Sequence, residues 1–364
     1  MTPARRWLLV AVVAVLVTAP AALLAHWPAS ASNLTAVELR AKIGASAKLG
    51  WSGQATTRGT LQVPKTDSFS GLAGLLSEDT DLRVWWRDDT HWRVDQTRVS
   101  GESDQYRYGG LVTTWRFESE QASITPYSPV RLPDVSDVLP STLAARMLSG
   151  ARPAELTRLP AQRVAGHNSA GLRLNPADPR STIGHVDIWA DESSGVPTRV
   201  QVYAAGRPRL PVLSTRLIEL HVGPPAESVT KFQAPDGVRA SFHEVIDEAA
   251  GANAFAPFIP PDSIAGLHRS GSLDKRGAVG VYGRGPTAII AIPLRDEVAS
   301  ALRDQLRKSR SSTETTGGTG LAVGPLTVLL PDGRRGAVLL AGTVTPATLE
   351  LAAADVRAHG QFFR

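Results

Sequence analysis

The chain has 364 residues and no cysteine, and its 39 lysines and arginines stand against 34 aspartates and glutamates, for a net charge of +5 at pH 7. The absence of cysteine excludes disulfide bonds, thiol chemistry, cysteine metal ligands and a lipid-modified cysteine anchor. The basic residues are interleaved with acids rather than gathered in blocks, so the charge does not indicate nucleic-acid binding.

The N-terminus has the layout of an export signal. Arg5 and Arg6 precede an apolar run over residues 7–25, and the small residues Ala29–Ala31 follow. The run is longer than a usual signal core and approaches the length of a membrane span. Residues 1–31 are therefore interpreted either as a signal peptide cleaved after Ala31 or as a retained membrane anchor. In both cases we expect the rest of the chain on the extracytoplasmic side of the cytoplasmic membrane.

The next segments predict a helix, a strand and a flap. Thr35 and Glu38 have the spacing of a capping box, which indicates a short helix ending near Gly44. Residues 51–63 alternate as a strand does. Residues 71–76 are interpreted as an apolar loop or short helix that forms a movable flap and contributes little to the core.

An alternating run rich in arginine and tryptophan then predicts four strands over residues 81–124. Five of the eight tryptophans lie between Trp51 and Trp115, so one sheet carries a large aromatic surface, lining either a core or a hollow for an apolar ligand. We expect Arg83, Arg87, Arg93, Glu102 and Asp104 to form an ionic network across these strands, or else a charged rim that receives a partner.

A helix is predicted over residues 141–148, and residues 154–242 again alternate like half-buried strands. Asp178-Pro179-Arg180 is interpreted as a turn first and a contact site second. The predicted fold is α+β: both β regions form one open, strongly curved antiparallel sheet, with the helices packed into its concavity.

The C-terminal third predicts a smaller α+β unit. It contains strands, helices over residues 296–308 and 346–358, and a Ser/Thr/Gly loop over 309–320. The expected division of the chain is a signal or anchor, a half-barrel, a linker and a small C-terminal domain, over residues 1–31, 33–243, 244–261 and 262–364.

Several motifs resemble the extracytoplasmic proteins of high-GC bacteria that carry the RseB/MucB N-terminal domain. They include Arg83–Trp86, Trp92–Asp95, Gly101–Tyr106, Asp178–Ser181 and Gly184–Asp187, and the likeness spans residues 33–242. The segments 281–285 and 340–346 resemble the second domain of many of these chains. The resemblance implies a LolA-like half-barrel capped by helices. It also implies a cavity linked to lipid-type ligands and binding to the outer segment of a membrane anti-sigma factor.

The sequence offers no pattern for chemistry. Its eight histidines include no pair at the helical spacing of metal ligands, and there is no nucleophile elbow, Walker loop or complete dinucleotide fingerprint. The interpretation is therefore a protein that is not an enzyme, with no catalytic, metal or cofactor residues. A regulatory binding protein of the RseB type is the first hypothesis, and a LolA-like lipid or lipoprotein carrier is the alternative. The candidate ligand- or partner-binding residues are Leu72, Leu75, Leu76, Trp85 and Trp115.

Overall fold

The structure is a computed structural model that describes residues 29–61, 70–98, 101–243, 247–270, 277–309, 311–315, 317–332 and 336–363. The predicted signal or anchor falls mainly on residues 1–28, which lie outside the described residues. Within the described part of the chain, no helix is long and apolar enough to cross a membrane.

Twelve of the described strands form one large, curved and open sheet. Their bounds are β1 (Trp51–Gly59), β2 (Asp79–Asp88), β3 (His91–Arg98), β4 (Gly101–Tyr108), β5 (Leu111–Arg116), β6 (Gln121–Pro126), β7 (Leu156–Val164), β8 (His167–Leu174), β9 (Ile183–Asp191), β10 (Pro197–Ala204), β11 (Leu213–Val222) and β12 (Ala240–Phe242). The order across the sheet is β12-β6-β5-β4-β3-β2-β1-β11-β10-β9-β8-β7. All neighbours are antiparallel except the short β12, which runs parallel to β6. The predicted open antiparallel sheet is confirmed.

The helices are α1 (Ala36–Ser46), α2 (Ser70–Ser77), α3 (Pro140–Met147), α4 (Glu227–Thr230), α5 (Glu248–Phe255), α6 (Asp296–Lys308) and α7 (Pro346–His359), with 3-10 turns at Val135–Val138 and Pro153–Glu155. Helix α1 begins with the predicted capping box. The Glu38 backbone N–H donates to the Thr35 hydroxyl at 3.2 Å, and the Thr35 N–H donates to the Glu38 carboxylate at 2.8 Å. These bonds satisfy two backbone donors that a helix start otherwise leaves free.

One face of the large sheet is covered by helices, and two apolar clusters fill the space between. The first cluster joins Leu39 of α1 and Leu143 of α3 to strand residues such as Ile188. The second joins Leu139 and Leu75 to buried side chains of β1–β3, including the tryptophans Trp51, Trp86 and Trp92. The aromatic surface on this face is therefore a packed core, and we call this face the helix-covered face.

The C-terminal part contains a second sheet, of six described strands. Its order is β16-β17-β21-β20-β19-β18, all antiparallel, with bounds β16 (Gly280–Arg284), β17 (Thr287–Leu294), β18 (Ser312–Thr315), β19 (Gly318–Val323), β20 (Leu326–Pro331) and β21 (Ala337–Gly342). The short pairs β13 (Phe258–Ile259) with β22 (Gln361–Phe362), and β14 (Ser263–Ile264) with β15 (Leu267–His268), flank it. Apolar side chains of α6 and α7 pack against its strands.

Two predicted segments of this region, a loop and a linker, contain regular secondary structure. The predicted loop over residues 309–320 is wrong, because β18 and β19 form a hairpin there and its threonines suit a pleated sheet. The predicted linker contains α5, which begins where the Asp247 carboxylate accepts the Ala250 N–H at 2.9 Å, and whose Ala249 is fully buried. The domain boundaries themselves stay a prediction.

A row of buried hydroxyls crosses the helix-covered face. Thr57 on β1 lies opposite Thr80 on β2 and Thr215 on β11. Each is at most 2% exposed, and none of the three hydroxyls has a hydrogen-bond partner among the described atoms. The row lies where the two apolar clusters meet, because Leu217 belongs to the second cluster and Leu213 to the first. A buried hydroxyl without a partner costs stability.

We therefore expect Thr57→Val to leave the free energy of unfolding unchanged or to raise it by about 1 kcal/mol, since valine keeps the shape and removes the unpartnered hydroxyl. Thr198→Val is the matched control. Thr198 is also fully buried, but its hydroxyl lies 2.9 Å from the Ser169 hydroxyl and 3.1 Å from the Trp189 carbonyl. Its loss should destabilise by about 1–3 kcal/mol. Urea denaturation measures both, and equal destabilisation by the two variants would contradict the assignment.

Candidate functional site

The predicted binding leucines lie on the helix-covered face, in helix α2. Leu75 is only 3% exposed and packs in the second apolar cluster, and Leu76 is half-buried against the first. The side chain of Leu72 lies outside the described part of the structure. The expectation that this segment contributes little to the core is therefore wrong for Leu75, whose side chain is a core member. A binding role for these leucines stays a prediction.

The two predicted tryptophans lie on the other side of the sheet, which we call the outer face. Trp85 alternates with the core residues Val84 and Trp86, so its side chain points away from them. The guanidinium of Arg93 lies over the Trp85 ring at 4.8 Å and over the Tyr106 ring at 4.9 Å. The structure thus separates Trp85 from the leucines by the thickness of the sheet.

Trp115 shares the outer face with Trp85 and is 5% exposed. It lies opposite Asp104 on the neighbouring strand, and its ring contacts those of Phe117 and Phe232, at 5.7 and 6.1 Å between centroids. Phe232 follows α4, so the chain after β11 covers this part of the outer face. Trp115 is a packed aromatic side chain, and its predicted ligand contact remains untested.

In the predicted ionic network, the ion pair with Asp104 is confirmed for Arg93. Its Nε and Nη2 donate to the two carboxylate oxygens of Asp95 at 2.6 and 2.8 Å, and Nη2 also donates to Asp104 at 3.0 Å. Arg87 departs from the prediction, because it donates to the Pro225 carbonyl. Burial, followed by repulsion from the Asp95 carboxylate, raises the pKa of Asp104 to about 7.

A second site lies where the two sheets meet. Two adjoining cavities of about 500 and about 270 Å³ lie between the β8–β9 loop and the β16–β17 hairpin, and we call them together the junction cleft. Asp178, Arg180 and Arg284 line both cavities. The first is completed by Arg152, Ala177 and Pro179, and the second by Glu155, Leu174, Pro176, Gly266, Leu267, His268, Gly283, Pro286 and Thr287.

Arg284 bridges the two sides of the cleft. Its Nη2 donates to Glu155 at 2.8 Å, and its Nη1 donates to the Gly150 carbonyl at 2.7 Å. The hydrogen bond from Arg284 is the largest cause that lowers the pKa of Glu155 to about 2, and backbone N–H groups of Arg152 and Ala177 add to it. The cleft therefore carries an ionised, saturated Glu155 at neutral pH.

Three arginines face two carboxylates in the junction cleft, so its charge is positive. Arg180 is committed to Asp178, with Nε and Nη2 at 2.9 and 2.8 Å from the carboxylate, and Arg284 is committed to Glu155. Arg152 is the least committed of the three, because its side chain is 62% exposed and its ion pair with Glu155 is long, at 3.5 Å. Guanidinium groups bind carboxylates well, so the cleft is suited to an acidic group.

Local sequence explains why these side chains converge. The Asp178 carboxylate accepts the Arg180 N–H at 3.0 Å, which makes the predicted turn, and Arg180 Nη1 reaches the Ala265 carbonyl at 2.6 Å. Gly285 follows Arg284 with φ of +48°, and a Cβ there would lie 2.6 Å from the Met147 carbonyl oxygen. Glycine is therefore needed for the hairpin to approach α3. The segments 178–180 and 281–285 were each recognised in the sequence, but nothing in the sequence indicates that they lie together.

No protein-family model and no curated protein sequence matches this chain. Among solved structures, it is similar to a MucB in complex with MucA(peri), at 15% identity and a TM-score of 0.47, over 87% of this chain and 97% of the other. The Pseudomonas aeruginosa MucA/MucB complex is similar at 15% identity and a TM-score of 0.48, over 87% of this chain and 96% of the other. A LolA superfamily protein from Nitrosomonas europaea is similar at 11% identity and a TM-score of 0.25, over 55% of this chain and 98% of the other. These solved structures are of the two kinds, MucB and LolA-type, that the sequence analysis named.

The lowered pKa of Glu155 should make the free energy of unfolding depend on pH in the acid range. A lowered pKa means that its stabilising effect is complete above its ordinary value of 4.5 and is lost as the pH falls from about 4.5 to about 2. Over that interval we expect the wild-type free energy of unfolding to fall by about 3 kcal/mol more than that of Glu155→Gln. Urea denaturation across the acid range measures the difference. Glu219→Gln, at a half-exposed side chain paired with His221, should follow the wild type.

Leu75→Asp tests where that leucine acts. Because the side chain is buried among core residues, an aspartate there should lower the free energy of unfolding by at least about 3 kcal/mol. Leu76→Asp should lower the free energy of unfolding less, because the side chain of Leu76 is only half-buried. Thermal melts of both variants measure this order, and a Leu75→Asp protein as stable as the wild type would restore the flap interpretation.

Proposed function

We propose that this chain is an extracytoplasmic binding protein that holds an acidic segment of a membrane protein, of the anti-sigma-factor kind, in the junction cleft. The observation that carries the proposal is the cleft itself, in which three arginines line adjoining cavities between two sheets. A binding role suits arginines that are held in place, because a fixed fork recognises a carboxylate with little further loss of side-chain entropy.

The cleft combines charge with apolar surface. Its second cavity has Leu174, Pro176, Leu267 and Pro286 in its wall, and the first presents the exposed Arg152. Protein interfaces commonly place apolar contacts at the centre and charged groups at the rim. A peptide segment with an apolar residue beside an aspartate or glutamate fits this arrangement better than a small neutral molecule.

The kind of partner comes from the resemblance to RseB/MucB-domain proteins, which implies an anti-sigma factor. MucB itself has been crystallised in complex with MucA(peri). The extracytoplasmic location of this chain likewise rests on its predicted export signal. The sensing of an apolar ligand, predicted through Leu72, Leu75, Leu76, Trp85 and Trp115, is part of the proposal as well, and it requires separate contacts on the two faces of the sheet.

A LolA-like carrier is the alternative, and it needs an accessible apolar surface on the helix-covered face. In the described residues this face is filled by two packed clusters, to which α1, α2 and α3 contribute side chains. A cargo would have to displace at least one of these helices. The junction cleft needs no such displacement, and this difference favours partner binding.

Charge reversal at the rim tests the proposal. Arg152→Glu should weaken binding to the purified extracytoplasmic segment of an anti-sigma factor from the same organism about tenfold, because it replaces an attractive charge by a repulsive one. Calorimetry or biolayer interferometry measures the dissociation constant. Arg58→Glu is the matched control, since Arg58 is 69% exposed, pairs with Asp79 and is not among the residues that line the cleft. Failure of the wild type to bind, or equal effects of the two variants, would refute the proposal.

A further inference from the structure

The outer face carries a cluster of three carboxylates that the proposed function does not use. Asp95 on β3 and Asp104 on β4 are cross-strand neighbours, and Glu102 precedes Asp104 by two residues on the same side of β4. One carboxylate oxygen from each lies within 4.8 Å of the other two. Asp95 is 3% and Asp104 is 1% exposed, whereas Glu102 is half-buried and open to solvent on one side.

The cations already present do not saturate this cluster. Arg93 occupies both oxygens of Asp95 and one oxygen of Asp104, Oδ2, which also accepts from the Tyr106 hydroxyl at 3.4 Å. Arg83 lies opposite Asp95 on β2, but its side chain is exposed and acts on Asp95 through its charge. Among the residues that the structure describes, the three carboxylates therefore share a single directly bound guanidinium.

One carboxylate oxygen of the cluster is available to a cation. The second oxygen of Asp104, Oδ1, is buried and has no hydrogen-bond partner among the described atoms. A buried carboxylate oxygen without a donor is costly, and such atoms are normally satisfied by a donor or a cation. Asp104 thus has one oxygen held by Arg93 and Tyr106, and one that accepts no hydrogen bond from the described atoms.

From this geometry we infer that Asp95, Glu102 and Asp104 form a binding site for a divalent metal cation of the calcium type. The donors are all carboxylate oxygens, which are the ligands that Ca²⁺ and Mg²⁺ prefer and that Zn²⁺ sites with histidine or cysteine do not resemble. The half-buried Glu102 gives the ion a route from solvent and leaves room for coordinating water. Ca²⁺ is favoured over Mg²⁺ because three carboxylates on two strands provide an irregular rather than an octahedral arrangement.

The site differs from the junction cleft in position and chemistry. It lies on β3 and β4 of the large sheet, beside the aromatic side chains Trp85, Tyr106 and Trp115. An ion there would fix the two buried aspartates in their ionised form and hold β3 and β4 together. The inference does not rest on partner binding, so either can fail without the other.

Thermal melts of the full chain at pH 7.5 test the site. Addition of about 10 mM CaCl₂ after treatment with EDTA should raise Tm by about 2–4 °C if the dissociation constant is near 1 mM, as in extracellular calcium modules. Asp104→Asn should abolish this rise. Asp187→Asn is the control: Asp187 is similarly buried and is held by Arg173 at 2.6 and 2.8 Å, as Asp95 is held by Arg93, and its variant should keep the rise.

Terbium(III) luminescence gives a readout that stability alone does not move. Terbium takes calcium sites and is excited by nearby aromatic rings, and Trp115 lies directly opposite Asp104. Wild type and Asp187→Asn should sensitise terbium, with displacement by Ca²⁺ and weaker displacement by Mg²⁺. Glu102→Gln, at the half-exposed ligand, should reduce the signal several-fold even if Asp104→Asn fails to fold. Absence of a Ca²⁺-displaceable signal in the wild type, or an equal signal in Glu102→Gln, would overturn the inference.

Discussion

The backbone pairing of strand β1 is the constraint on which the large sheet depends. It joins β2 of the first meander to β11 of the second, two strands more than a hundred residues apart in the sequence, so the two β regions become one surface. A carbonyl of β11 crowds this pairing, since a Cβ on Gly53 would lie 2.0 Å from the Glu219 oxygen. Because side chains alternate, a slip of one residue in β1 would send Trp51 to the outer face and expose the core.

That register also decides which chemistry each face carries. On β2 the residues Leu82, Val84 and Trp86 enter the core, so Arg83 and Trp85 must lie on the outer face beside Asp95 and Arg93. The separation of apolar and charged side chains is therefore one consequence of the pleat. It places the carboxylate cluster and the two predicted tryptophans together, on the opposite side of the sheet from Leu75.

Much of the fold was predictable from the sequence because its signals are local. The capping box at Thr35 and the alternation of β2–β5 determine their elements within a few residues, and the ionic contacts of Arg93 follow from strand neighbours. The junction cleft was not predictable, since Glu155 and Arg284 are 129 residues apart and meet only through the packing of two sheets. The burial of Leu75 was missed because the glycines around it resemble a loop, whereas long-range contacts with β1 and β2 hold the helix.

Arginine–carboxylate pairs play different parts in this molecule according to how many carboxylates each arginine must satisfy. In the junction cleft, Glu155 is held closely by Arg284 and by backbone N–H groups, so its pair with the exposed Arg152 is long, at 3.5 Å, and Arg152 can turn to another molecule. On the outer face, Arg93 is shared between Asp95 and Asp104, and one carboxylate oxygen of Asp104 has no donor among the described atoms. Surplus positive charge suits an acidic partner, and surplus negative charge suits a cation, so the balance at each pair indicates what each surface binds.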